Sequence, residues 1–134
     1  MTVTSRRCID LAGATDAPAL ARQFTTGFLA DAENSRGHPG SPGATDAVLL
    51  VASELVTNAV RHAPGPCTLC LATWDGGVLI EVRDTSAALP RPRVPDITGA
   101  LGGWGWGLVN RLADDVLVLS GPDGGKTVRT CLAW

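Results

Sequence analysis

Residues Asp46 to His62 read DAVLLVASELVTNAVRH, and the rest of the chain is organised around them. The stretch has helical length, and Ala, Val and Leu make up most of it. Glu54 and Asn58 stand four apart, so a helix places them on one face. Arg61 and His62 follow three and four residues beyond Asn58 and add two cations near that face. One turn upstream the same face carries Leu50 and Val51. A solvated face tends to stay polar along its length. This one begins apolar and ends in carboxylate, carboxamide, guanidinium and imidazole, which predicts that its end faces a charged ligand.

A chain of 134 residues is expected to form a single domain with a core of its own. Hydrophobic residues make up 45% and charged residues 18%, a globular composition and not a disordered one. The net charge of −2 argues against a non-specific nucleic-acid surface, so no direct nucleic-acid partner is expected. No uninterrupted apolar run approaches the ~18 residues that span a bilayer. The opening MTVTSRRCIDLAG has no apolar core of signal-peptide type. A cytoplasmic protein without a membrane partner is the expectation. Cys67 and Cys70 form a lone CxxC with no second ligand pair at a suitable spacing. The surrounding CTLCLATW reads as a strand, where residues three apart point to opposite faces. Reduced, packed thiols are therefore expected in place of zinc or redox chemistry.

Taken in order, Arg6 to Leu11 reads as a short strand. Thr15 or Asp16 caps a helix that tolerates Pro18 in its first turn, buries Leu20, Phe24 and Phe28, and ends near Glu33. Gly27 within it is expected to mark a close packing contact. Asn34 to Gly43 is a loop, and Thr45 or Asp46 caps the second helix. Pro64-Gly65-Pro66 stops that helix. Cys67 to Trp74 and Val78 to Asp84 are strands joined through Asp75-Gly76-Gly77. Parity puts Asp84 on the apolar face of its strand with Val78, Ile80 and Val82, where a carboxylate needs hydrogen bonds. Residues 85 to 102 have the length and composition of a lid, with Arg91 and Arg93 giving it positive charge. Gly103-Trp104-Gly105-Trp106-Gly107 then opens a short helix, Leu108 to Ala113. Glycines there allow close approach of a ligand, and a helix start offers free N–H groups to an anion. Val116 to Leu119 and Lys126 to Trp134 complete the strands. GPDGGKT, residues 121 to 127, is one residue too short for a P-loop and lacks the helix that must follow it. Together the elements predict an α+β two-layer sandwich: a mixed, mostly antiparallel sheet covered on one face by helices.

Three features now stand in one order: Glu54 and Asn58 on a helix, Asp84 at a strand end, and Gly103 and Gly105 after a long lid. Together they resemble the nucleotide-binding domain of the GHKL superfamily, which includes DNA gyrase, Hsp90, histidine kinases and MutL. ELVTNAVRHA is similar to its N-box, Asp84 to the start of its G1 box, and GWGWGLV to its G2 box. GGKTV resembles the last strand motif of one branch, the bacterial anti-sigma-factor serine/threonine kinases and their actinobacterial relatives. The G1 box departs from the usual DxGxG, reading Asp84-Thr85-Ser86-Ala87-Ala88.

The resemblance implies a Bergerat-type ATP-binding fold with ATP and Mg²⁺ as ligands. It implies Glu54 as general base and Asn58 as an oxygen ligand of Mg²⁺. Arg61 and His62 would reach phosphate. Asp84 would accept a hydrogen bond from the adenine amino group, and Thr127 would support it there. Gly103, Gly105 and Gly107 would let the lid and helix wrap the phosphates. The implied partners are a sigma factor and an anti-sigma-factor antagonist, and a homodimer is the implied assembly. Two alternatives stand beside the kinase: a non-catalytic, nucleotide-gated protein-binding module, and the catalytic domain of a histidine kinase.

Overall fold

The computed structural model describes residues 2–11, 16–62, 65–87 and 105–134. Its elements follow the predicted order: β1 (Val3–Asp10), α1 (Ala17–Arg36), α2 (Pro42–His62), β2 (Thr68–Trp74), β3 (Gly77–Asp84), α3 (Gly105–Leu112), β4 (Asp115–Ser120) and β5 (Lys126–Ala133). The differences lie at element ends. α1 continues to Arg36, where Gly37 at φ 80° returns its N–H to Glu33 O at 2.9 Å. α2 starts at Pro42, four residues before the predicted stretch, with Thr45 N–H bonded to Ser41 O at 3.0 Å. Proline is well suited to that first turn because its missing N–H needs no partner there. The predicted ten-residue loop thereby contracts to residues 37–41. α3 takes in Gly105 and Gly107 and does not wait for Leu108. Val109 is fully buried and Trp106 packs on the core, so tertiary contact outweighs the local cost of glycine.

The sheet runs β1-β2-β3-β5-β4, and all four pairings are antiparallel, in line with the expected mostly antiparallel sheet but without its mixed part. The connection through α3 delivers β4 to the outer edge, and its hairpin then folds β5 back between β4 and β3. One sheet face meets the helices. On it Val78, Ile80 and Val82 oppose Leu132, Thr130 and Val128 across the β3–β5 ladder. α1 adds Ala21, Phe28 and Leu29, and α2 adds Val48, Val51, Leu55 and Val56, all buried. Each of the larger side chains contributes about 1.5–3 kcal/mol on leaving water. The buried stripe of α1 runs through Ala17, Ala21, Thr25 and Phe28, while Leu20 and Phe24 are only half-buried. Gly27 is exposed, and a Cβ added there would meet nothing within 4 Å, so the expected packing contact is absent.

Pro42–Arg61 reaches the length and mean hydropathy of a bilayer span, yet Asp46, Ser53, Glu54 and Asn58 interrupt it, so it is not an uninterrupted apolar run. It is the central helix of this fold, with six of its apolar side chains in the core. The cysteine expectation needs a correction. Cys8 and Cys70 are directly opposed in the β1–β2 ladder and form a disulfide. Cys67, three residues earlier, points to the other face and stays a buried thiol.

Candidate functional site

Strand parity delivers Asp84 to the helix-facing side at the end of β3, where it is 4% exposed. A bare carboxylate there would cost several kcal/mol. It is answered on every side. Ser86 N–H donates to Oδ1 at 2.9 Å, and Lys126 Nζ lies 3.0 Å from Oδ1 and 2.9 Å from Oδ2. Lys126 also donates to Ser86 O at 3.3 Å. Asp84 and Lys126 face each other across the β3–β5 ladder, and both are buried. Gly125 permits this arrangement: a Cβ there would collide with Asp84 O, so only glycine lets the hairpin come this close.

Lys126 is the site residue that the sequence reading missed. Thr127 was expected beside Asp84, but it pairs with Arg83 in the β3–β5 ladder and lies on the opposite face of the sheet. The period of two that located Asp84 identifies Lys126 equally well. A cavity of about 260 Å³ opens at this end of the sheet, lined by Thr68, Arg83 and Thr127 as well as by Asp84 and Lys126. The neighbouring Cys67 thiol is pushed up to about 11 by burial, then by the negative charges of Asp84 and Asp10.

The end of α2 comes to the same place. Beyond it, Gly65 lies against Thr85, since a Cβ on Gly65 would come within 2.8 Å of the Thr85 side chain. α2 packs over β3 and β5. Along it Val51, Leu55 and Val56 point inward while Glu54 and Asn58 are half-buried. Neither Glu54 nor Asn58 hydrogen-bonds through its side chain to another described residue. Their neighbours are engaged in structure: Ser53 accepts from Arg22 Nη1 at 3.2 Å, and Thr57 donates to Ser53 O at 2.8 Å. Leu50, expected on the same face as Glu54, is 38% exposed, whereas Val51 is fully buried. Arg61 is exposed on the last turn, and His62 closes the helix.

α3 packs against α2. Its C-terminal end is tied to the sheet through Asp114 N–H to Cys131 O at 2.8 Å. Gly105 and Gly107 stand at the other end, where the first N–H groups of a helix have no intrahelical partner. Space is open where a Gly107 side chain would stand. The His62 side chain, Gly103, Trp104, Arg91, Arg93 and the predicted lid from Ala88 onward lie outside the described residues. GPDGGKT forms the β4–β5 hairpin and leads into a strand, as its rejection as a P-loop requires. The CxxC is divided between a buried thiol and a disulfide. No three His, Cys, Asp or Glu side chains gather into a metal group among the described residues.

An antiparallel sheet under helices, with a buried Asp at a central strand end, is the fold of a GHKL-type ATPase domain, and the family comparison agrees. The model of the histidine kinase-like ATPase domain matches residues 16–132, and the chain belongs to that family. Membership implies ATP binding. Among solved structures the chain is similar to the RsbU and RsbW domains of Rv1364c from Mycobacterium tuberculosis, at a TM-score of 0.69 and 20% identity. That match covers 97% of this chain and 32% of the other, so the chain spans about a third of its length. It is also similar to a chain of the SiaB-SiaC complex from Pseudomonas aeruginosa, at a TM-score of 0.56 and 14% identity, covering 98% and 91%. Both likenesses are of fold. No curated protein matches the chain significantly.

Proposed function

We propose that the chain is a Mg-ATP-binding regulatory protein of the anti-sigma-factor kinase type. It would hold a sigma factor and phosphorylate a serine or threonine of an antagonist protein. One observation carries this reading. Among the described residues, Glu54 and Asn58 have no side-chain hydrogen-bond partner, and they stand on the helix whose end meets the sheet end that bears Asp84. The family membership and the likeness in fold to a chain of a two-protein complex support it.

The donor set fits the group it would hold. Asn58 offers a neutral oxygen and Glu54 an anionic one, and no further acidic cluster joins them among the described residues. Such a sparse set of hard oxygens suits Mg²⁺, which keeps several waters and shares its ligation with phosphates. ATP supplies the transferable phosphoryl group. Asn58 holds the metal through its side-chain oxygen. Glu54, one turn earlier, takes the proton from the attacking hydroxyl and orients it. Arg61, His62, Gly103, Gly105 and Gly107 bind phosphate oxygens, the glycines through backbone N–H groups. Asp84 receives the purine edge, with Lys126 beside it in place of Thr127.

Incubation with [γ-³²P]ATP and the cognate antagonist tests the reading. Label on a serine or threonine is expected, with at least ~100-fold less in Glu54→Gln at unchanged ATP affinity, the range for losing a general base. Asn58→Ala is expected to lose Mg-dependent ATP binding in calorimetry. Tight ATP binding with no labelling by the wild type would leave the nucleotide-gated binding module as the function.

A further inference from the structure

The two edges of the sheet differ in how they meet solvent. β1 carries exposed Arg6 and Arg7, and its register with β2 shifts between Val3 and Ser5. Charge and an irregularity of this kind keep an edge from pairing with another strand. β4, the opposite edge, reads DVLVLS, has Asp115 at its start as its only charge, and pairs with β5 without a register shift. Val116 and Val118 pack on the core. Leu117 and Leu119 therefore lie on the sheet face away from the helices, and they are 46% and 37% exposed. Gly121 N–H bonds to Gly125 O at 2.8 Å, which sets the phase of the β4–β5 ladder. Counting back by twos, Leu119, Leu117 and Asp115 turn their backbone groups to β5. Val116, Val118 and Ser120 turn theirs outward, and among the described residues no backbone group on that side bonds to them.

We infer that the free edge of β4 is a self-association surface, to which a second copy of this chain adds its own β4 in antiparallel pairing. The phase of the ladder dictates the geometry. In either copy the outward groups belong to Val116, Val118 and Ser120, and residues that exchange hydrogen bonds across an antiparallel pair share a sheet face. The two-fold axis therefore stands perpendicular to the sheet, and both helix layers fall on one side. Centring the axis on Val118 pairs Val118 with its own counterpart and Val116 with Ser120 of the second copy, and the reverse. Every outward group is then used, in six hydrogen bonds, two for each of three pairs. Moving the axis to Leu117 or Leu119 leaves only four within the strand. The centred register also sets Leu117 opposite Leu119 of the second copy. These are the close, non-hydrogen-bonded pairs, with Cα atoms about 4.5 Å apart, so the exposed leucines cover one another. Asp115 falls beyond the hydrogen-bonded pairs. The strand is its own complement about Val118, and this is why a second copy, and not an unrelated strand, fits the edge.

Sedimentation velocity of the whole chain from about 1 to about 200 µM tests this, since an interface of one strand edge belongs to the small, weak class. A reversible shift from monomer to dimer, and no further, is expected. Val118→Pro removes the central outward N–H while leaving the β5 ladder and the open sheet face as they are, and it is expected to be a folded monomer. Leu117→Lys/Leu119→Lys sets like charges opposite each other and is expected to be monomeric as well. Leu117→Lys/Leu119→Glu sets opposite charges together in the centred register and is expected to dimerise within ~10-fold of the wild type. Circular dichroism checks the folding of each variant. A wild type that stays monomeric throughout overturns the inference, as does assembly beyond the dimer. A folded Val118→Pro that still dimerises places the contact on the sheet face and overturns the edge. A Lys/Glu variant that dimerises no better than the Lys/Lys one overturns the register. The wild type and the leucine variants decide the question even if Val118→Pro does not fold.

Discussion

Lys126 is buried only because Asp84 is there, and the dependence is mutual. Removing one partner of a buried ion pair strands the other charge, so Asp84→Leu or Lys126→Met alone is expected to cost about 3–5 kcal/mol in urea unfolding. The double variant Asp84→Leu/Lys126→Met is expected to recover most of that loss, because no charge is left to desolvate. Additive losses in the double variant would mean that the two residues do not act as a pair. Cys67 carries a second residue-scale consequence. Its folded pKa of about 11 lies above the ordinary thiol value, so the native state keeps a proton that the unfolded chain releases first. Its stabilising contribution is complete below pH ~8.5 and is lost progressively as pH rises toward 11. Denaturant midpoints between pH 8 and 10.5 should show this fall, and Cys67→Ala should reduce it. The position of Asp84 was legible from parity alone. Lys126 was not, because lysine is so seldom buried that a reading by residue type passes over it.

On α2 the buried residues that hold the fold are separate from the half-buried Glu54 and Asn58, which are proposed to meet the ligand. Leu55 is 3% exposed and belongs to the core, so Leu55→Ala is expected to cost about 3 kcal/mol through a cavity. Glu54→Gln and Asn58→Ala remove no side-chain hydrogen bond among the described residues, and each is expected to change stability by less than ~0.5 kcal/mol. Thermal unfolding of the three variants without nucleotide checks the division. A loss of 2 kcal/mol in Asn58→Ala would give that residue a structural role instead. The helix itself was legible in the sequence because its apolar period is strong. Its start was misplaced because Pro42 and Gly43 look like loop residues, although a first helical turn accommodates both. α3 was misplaced for the same kind of reason. Glycine argues locally against a helix, and the packing of Trp106 and Val109 reverses that preference.

At the level of the whole molecule, the α+β layering was readable from the alternation of periods. The sheet order was not, since nothing local tells β5 to lie between β3 and β4. The same is true of the disulfide. Cys8 and Cys70 are 62 residues apart, and only the β1–β2 register makes them neighbours. β1 is an edge strand, and outside its pairing with β2 it has the exposed Arg7–Asp31 ion pair at 2.7 Å as an anchor to α1. Such an ion pair contributes little, so the disulfide adds a covalent constraint to the β1–β2 ladder at this edge. Its reduction, or Cys8→Ser, is expected to lower unfolding stability by about 2–4 kcal/mol. A reductant that leaves the unfolding curve of the wild type unchanged would remove this role. The bond has a further effect, on the integrity of a damaged chain. Residues 8 to 70 form a closed covalent ring that contains α1, α2 and the short, largely exposed connection at 37–41. A protease that cuts this connection severs the backbone without releasing a fragment. The nicked protein should migrate as one species without reductant and as two with it, and its α2 face would remain attached to the sheet it covers.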